Sequence, residues 1–171
     1  DVAVDIQMGS VQEVYRWVRE DKVDMCFTSH QEGGNFDWIH LRNDPLLAIL
    51  PPGYDLRGCS SLPVSRLEGL DFLMPSLGFH LDIMRTLGDV KPNIQQTHVN
   101  DSVIISMVEH GLGVSMLSEL VLRGRRDNVV AVPLDPPAVR ELGIAVRSKK
   151  ELRPIARRFI TETKEILENI P

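Results

Sequence analysis

Two cysteines in 171 residues, Cys26 and Cys59, cannot supply the four closely spaced Cys or His ligands of a zinc framework. No apolar run approaches the roughly 20 residues that cross a bilayer. Basic residues are outnumbered, with Lys plus Arg 19 against Asp plus Glu 24, and the net charge of −5 offers no clustered positive surface for phosphate backbones. The one basic knot, Arg123, Arg125 and Arg126 beside Asp127, reads as solvated surface. The five histidines, at positions 30, 40, 80, 98 and 110, form no HExxH pair, and GxSxG and phosphate-cradling glycine loops are missing. Gly111-x-Gly113 lacks the third spaced glycine of a dinucleotide site. Enzymatic activity, a metal and a bound cofactor are therefore not expected.

What remains, 43% hydrophobic and 25% charged, is a soluble globular chain long enough for one domain or two small lobes. Cys26, inside Met25-Cys26-Phe27, reads as a small buried hydrophobe, and two thiols without a pattern suit a reducing compartment. The chain opens on Asp-Val-Ala-Val-Asp-Ile, within an expected strand and without a start methionine, so it reads as a fragment.

Strand and helix signals alternate along the chain. Strands are expected at 2–6, 23–28, 38–41, 46–50, 71–74, 95–99, 114–117, 129–133 and 142–146. Helices are expected from the capping box Ser10-x-x-Glu13, over 79–87, from Asn100, over 119–123 and over 154–170, with a helical turn at 65–69. The last helix places Ile155, Phe159, Ile160, Thr163, Ile166, Leu167 and Ile170 on one face. This alternation predicts parallel sheets covered by helices. Proline-marked breaks at Asn43–Gly53 and Pro133–Pro137 bracket a central block, which predicts an outer lobe of 1–46 with 138–171 and an inserted inner lobe of 47–137. A cleft between hinged lobes is a natural small-molecule site.

The stretch NDSVIISMVEHGLGVSML, Asn100 to Leu117, carries the most specific local signal. Asp101 or Ser102 is suited to accept the first free helical N–H groups, and Val103, Ile104, Met107 and Val108 mark an apolar face. Gly111 falls where a left-handed residue ends a helix. If Asp101 caps the helix, its carboxylate disfavours an anionic ligand there. Arg42 and Arg147 lie near strand ends as possible counter-charges, although surface positions suit both.

In order, VDMCFTS (23–29), FDWIHLRNDPLLAILPPGYDL (36–56), LDFLMPS (70–76), the Asn100–Leu117 stretch and VRELGIAVR (139–147) resemble the effector-binding domain of LysR-type transcriptional regulators over the whole chain. The resemblance implies a two-lobed, periplasmic-binding-protein-like (type II) α/β fold with Rossmann-like lobes joined by two crossover segments. It also implies that the first strand–helix unit of such domains is missing before Asp1. Ser118 stands where that family commonly has a proline after the GLGV motif. Carried over, the effector-binding residues are Thr28, Ser29, Ser76, Asn100, Asp101 and Ser102. Their chemistry suits a polar metabolite as effector, and the resemblance implies a cytoplasmic homodimer or tetramer in the full-length protein and DNA contact only through a missing N-terminal winged helix-turn-helix. The helix from Ser10, with Tyr15 and Trp17, would be one dimer contact. A solute-binding protein of a transport system shares the fold, and the sequence upstream of Asp1 separates the two: a winged helix for a regulator, a secretory leader for a transport protein.

Overall fold

The computed structural model describes residues 3–31, 35–75, 78–125 and 128–169. The chain divides into two compact units, Asp1–Arg42 with Glu141–Pro171, and Asn43–Arg140.

In the first unit, α1 (Val11–Arg19) begins at the expected capping box: Ser10 Oγ accepts from Glu13 N, and Glu13 Oε2 accepts from Ser10 N at 2.9 Å. Strand β1 (Cys26–Ser29) follows, then β2 (Asp37–Leu50), which carries the chain into the second unit. There the chain runs through β3 (Leu62–Pro63), a 3-10 turn (Val64–Leu67), β4 (Asp71–Met74), α2 (His80–Leu87), β5 (Asn93–Gln96), α3 (Asp101–Glu109), β6 (Ser115–Ser118) and α4 (Glu119–Leu122). Strand β7 (Val130–Val146) returns it to the first unit, where α5 (Pro154–Glu168) follows.

The strand order β1–β7–β2–β6 is not the all-parallel sheet that the alternation predicts. β1 pairs antiparallel with β7 (Cys26↔Ala145 through Ser29↔Leu142), and β2 pairs antiparallel with β6 (Leu46↔Ser118 through Ile49↔Ser115). Parallel pairing survives where a helix makes the crossover: α2 links β4 to β5, and α3 links β5 to the Val114 bridge on Phe72. The expected proline breaks do not interrupt strands. β2 runs through Asn43-Asp44-Pro45, and β7 runs through Pro133, Pro136 and Pro137, with a cis Asp135–Pro136 bond. Proline removes a donor but keeps an extended φ, so it interrupts the hydrogen-bond ladder more readily than the strand.

The expected strand at 2–6 does not form over the described residues. Val4, Ile6 and Met8 are 62%, 82% and 85% exposed on a segment that pairs with no strand among the described residues. Alternation without a partner ladder does not make a strand.

In the first unit, Val18, Cys26 and Ala145 pack with Trp38 and Tyr15, as the reading of Cys26 requires, and burial pushes its thiol up to about 11. Ile39, Ile144, Val146 and Ile160 pack as a second cluster. α5 docks through Ala156 and Ile160, whereas Ile155, Phe159 and Ile166 of its expected buried face are exposed, and Ile170 lies outside the described residues. In the second unit, Leu46, Phe72, Met74, Ile83 and Met116 anchor one cluster, and Ile49, Leu73, Ile104, Ile105 and Leu117 another.

At Gly113 a Cβ would stand 2.7 Å from the Asp71 carbonyl oxygen and 3.2 Å from Leu73 Cγ. We expect Gly113→Ala to cost about 1–3 kcal/mol through overpacking, seen as a lower urea midpoint at unchanged slope.

Candidate functional site

The Asn100–Leu117 stretch folds as a helix between two strands, with a cap different from the expected one. Asn100, in an extended conformation, is the N-cap, and its Oδ1 accepts from Val103 N at 3.1 Å. Asp101 and Ser102 are therefore the first two helical residues. The buried face is Ile104, Ile105 and Val108, and Val103, expected inside, is exposed. At the other end Gly111, at φ +74°, closes a Schellman motif, with Gly111 N donating to Val108 O at 2.9 Å and Leu112 N to Met107 O at 3.0 Å.

Asp101 is half-buried. Burial raises its carboxyl above the ordinary carboxylate value, and Arg125 and then Arg140 oppose that rise. Arg125 also donates to Ser102 Oγ at 2.6 Å, so it is engaged with the helix start instead of lying as solvated surface; Arg126 lies outside the described residues. Arg140 is the residue that sequence reasoning missed. Its side chain is only 11% exposed, its guanidinium lies 4.1 Å from the Phe79 ring centroid, and its Nε is 3.5 Å from Asp82 Oδ2. Burial lowers its pKa, and Asp82, Asp44 and Asp101 draw it back up. A charged residue inside Val-Arg-Glu-Leu gives no sign of depth, because only the fold brings Phe79 and Asp82 over it.

The turn after β6 is also rebuilt around a charge. Ser118, standing for the family's proline, makes no side-chain cap on α4; Asp44 Oδ1 accepts from Leu120 N at 3.1 Å instead.

In the first unit, Thr28 is half-buried at the end of β1 opposite Gly143, and Ser29 is buried opposite Leu142. Ser29 O accepts from the Tyr15 hydroxyl at 3.3 Å, and the Tyr15 ring packs 5.0 Å from Phe36. His30 N donates to Glu141 O at 2.9 Å, and its ring packs 5.0 Å from Trp38. The two possible counter-charges behave differently. Arg147 is exposed and pairs with Asp21 and Glu151, whereas Arg42 is half-buried with an Nε that has no hydrogen-bond partner. Ser76, expected at the site, lies outside the described residues.

The first unit also holds a surface cavity of about 270 Å³ lined by Asp21, Asp24, Arg147, Glu151 and Arg153, whose charges pair with one another. None of the expected effector residues borders it. Among the described residues no group of three or more His, Cys, Asp or Glu is placed to hold a metal ion, and no helix is long and apolar enough to cross a membrane.

The family model of the LysR substrate binding domain matches residues 1–168. Among curated proteins, the uncharacterised HTH-type transcriptional regulator YvbU of Bacillus subtilis is 29% identical over 92% of this chain and 55% of its own length. The Hca operon transcriptional activator HcaR of Escherichia coli is 23% identical over 90% of this chain and 54% of its own length. The chain thus spans about half the length of these relatives. Among solved structures, the regulatory domain of Synechocystis CcmR in complex with 2-PG superposes with a TM-score of 0.82 at 20% identity, covering 95% of this chain and 82% of that one. The effector-binding domain of QuiR in complex with shikimate gives 0.78 at 15% identity, covering 94% and 79%.

A carboxyl whose folded pKa is raised favours folding below its unfolded value and loses that contribution as pH rises through the folded value. Asp101→Asn removes this titration. Its stability relative to the native chain should therefore be higher at about pH 7 than at about pH 3, as measured by urea midpoints at both.

Proposed function

The chain belongs to the LysR substrate-binding domain family and has its two-lobed, periplasmic-binding-protein-like α/β fold, and from that membership we propose how its parts serve effector sensing. The observation that carries the reading is the family match across residues 1–168. The two units act as the regulatory subdomains, and the effector is a small polar metabolite. Thr28 and Ser29 meet it from the end of β1, Ser76 from the segment after β4, and Asn100, Asp101 and Ser102 from the start of α3. The neutral hydroxyl and amide groups among them, those of Thr28, Ser29, Ser76, Asn100 and Ser102, orient a ligand by hydrogen bonds. The regulatory domains of CcmR and QuiR, solved in complex with 2-PG and shikimate, support a small-molecule effector.

The whole protein acts in the cytoplasm as a homodimer or tetramer, with Trp17 on α1 among the contacts, and reaches DNA through an N-terminal winged helix-turn-helix. Effector binding changes operator affinity by favouring one of two lobe and dimer geometries. Relatives described as an HTH-type transcriptional regulator and as a transcriptional activator favour this reading over a transport solute-binding protein. The chain binds its ligand without transforming it, as expected of a regulator.

A thermal-shift screen of metabolites tests the reading, because a ligand that binds only the folded state stabilises it by about 2.7 kcal/mol at a hundredfold excess over Kd. Thr28→Val and Ser102→Ala should each weaken a hit about tenfold, the loss of one hydrogen bond of roughly 1.4 kcal/mol. Hits that bind both variants as tightly as the native chain would place the ligand elsewhere.

A further inference from the structure

Alternate residues of a strand share a face, so Trp38, His40 and Arg42 lie on one side of β2. Trp38 packs in the same cluster as Cys26 of β1, and Thr28 is two residues beyond Cys26 on the same side of its strand. Thr28 and Arg42 therefore belong to one face of the first unit. Two donors on that face are buried without a hydrogen-bond partner, Trp38 Nε1 and Arg42 Nε. Orphaned buried donors are costly and rare, and a guanidinium N–H among them is satisfied best by an oxyanion. Among the described residues no carboxylate forms an ion pair with Arg42. Arg147, in contrast, already holds Asp21 and Glu151.

The start of α3 opposes an anion less strongly than the sequence suggests. The cap of α3 is the neutral Asn100, and the Asp101 carboxylate stands in the first turn instead, with Arg125 on the neighbouring Ser102. We propose that Arg42 is the anion-binding residue of the effector region and that the effector is an acid whose carboxylate or phosphate takes the Arg42 guanidinium. This rests on the effector-sensing reading above and adds the charge of the ligand to it. Among the described residues the Arg42 Nε has no hydrogen-bond partner, and the effector supplies one.

The test follows the Nε–Hε signal of Arg42 in the NMR spectrum of this chain, assigned by its loss in Arg42→Met. Sodium acetate and inorganic phosphate are the probes, with sodium chloride at equal ionic strength as the control. We expect saturable movement with at least one oxyanion and none with chloride, and whichever of acetate and phosphate binds more tightly identifies the acid group. Arg147→Gln should leave the affinity unchanged. Arg42→Lys, a point charge without the planar fork, should weaken it about tenfold. Arg42→Met should melt no lower than the native chain, since it breaks no internal pair, whereas a purely structural arginine would lower the melting temperature when lost. A signal that neither oxyanion moves, that chloride moves equally, or whose response is lost in Arg147→Gln overturns the proposal. A neutral or cationic metabolite that stabilises the protein in the screen overturns it too while leaving effector sensing intact. Oxyanion binding at Arg42 with no stabilising metabolite would instead count against effector sensing.

Discussion

The second unit hangs on one close approach of two backbones. Val114 N donates to Asp71 O and Leu73 N donates to Val114 O, each at 2.8 Å, and Ser115 Oγ donates to Leu73 O at 2.7 Å. Only a residue without a side chain fits at 113, where the Asp71 carbonyl would otherwise be struck. This contact sets Phe72, Leu73 and Met74 in the interior, between β5 on one side and the strand that becomes β6 on the other. Because β4 and β5 run parallel, the helices that follow them start at the same end, where open α/β sheets gather their ligands. The placement of Asn100, Asp101 and Ser102 thus follows from a packing requirement at Gly113, at the other end of the helix.

Two buried charges stand where the long strands enter that unit. Asp44 takes over the capping of α4 that Ser118 leaves undone, and Arg140 lies between Phe79 and Asp82. Buried charges are retained at a cost unless they are paired or hydrogen-bonded, and here each also fixes a backbone feature. Asp44 fixes the turn after β6, and Arg140 fixes the entry to α2. The second role needs a guanidinium: its flat face stacks on an aromatic ring while its edge meets a carboxylate, which an ammonium does not reproduce.

Local chemistry in this sequence is legible wherever one element contains both partners. The Ser10–Glu13 capping box and the Gly111 helix end form as expected, because each closes within a few residues. Relations between elements are less legible. The prolines at 45, 133, 136 and 137 read as breaks, yet the strands continue through them, since proline's fixed φ suits an extended chain. Alternation at 2–6 reads as a strand, yet no ladder receives it over the described residues. Asn100 and Asp101 are both good caps by residue type, and a shift of one position, beyond the reach of pattern reading, decides which carries the role. Arg140 could not be singled out at all, because its partners are contributed by α2, roughly sixty positions away in the sequence.

That single-position shift governs the electrostatics of the candidate site. A carboxylate at the cap would accept the free N–H groups of α3 and cancel the positive end of its dipole with a full negative charge. With Asn100 there, the N–H of Val103 is satisfied by a neutral oxygen, and the field of the helix start persists. Asp101 moves into the first turn, within the influence of Arg125 and Arg140, so its charge is offset by side chains instead of by the backbone. Arg125 in turn is tied to Ser102, and Arg140 to Asp82. The charges around the start of α3 are thus largely answered inside the second unit.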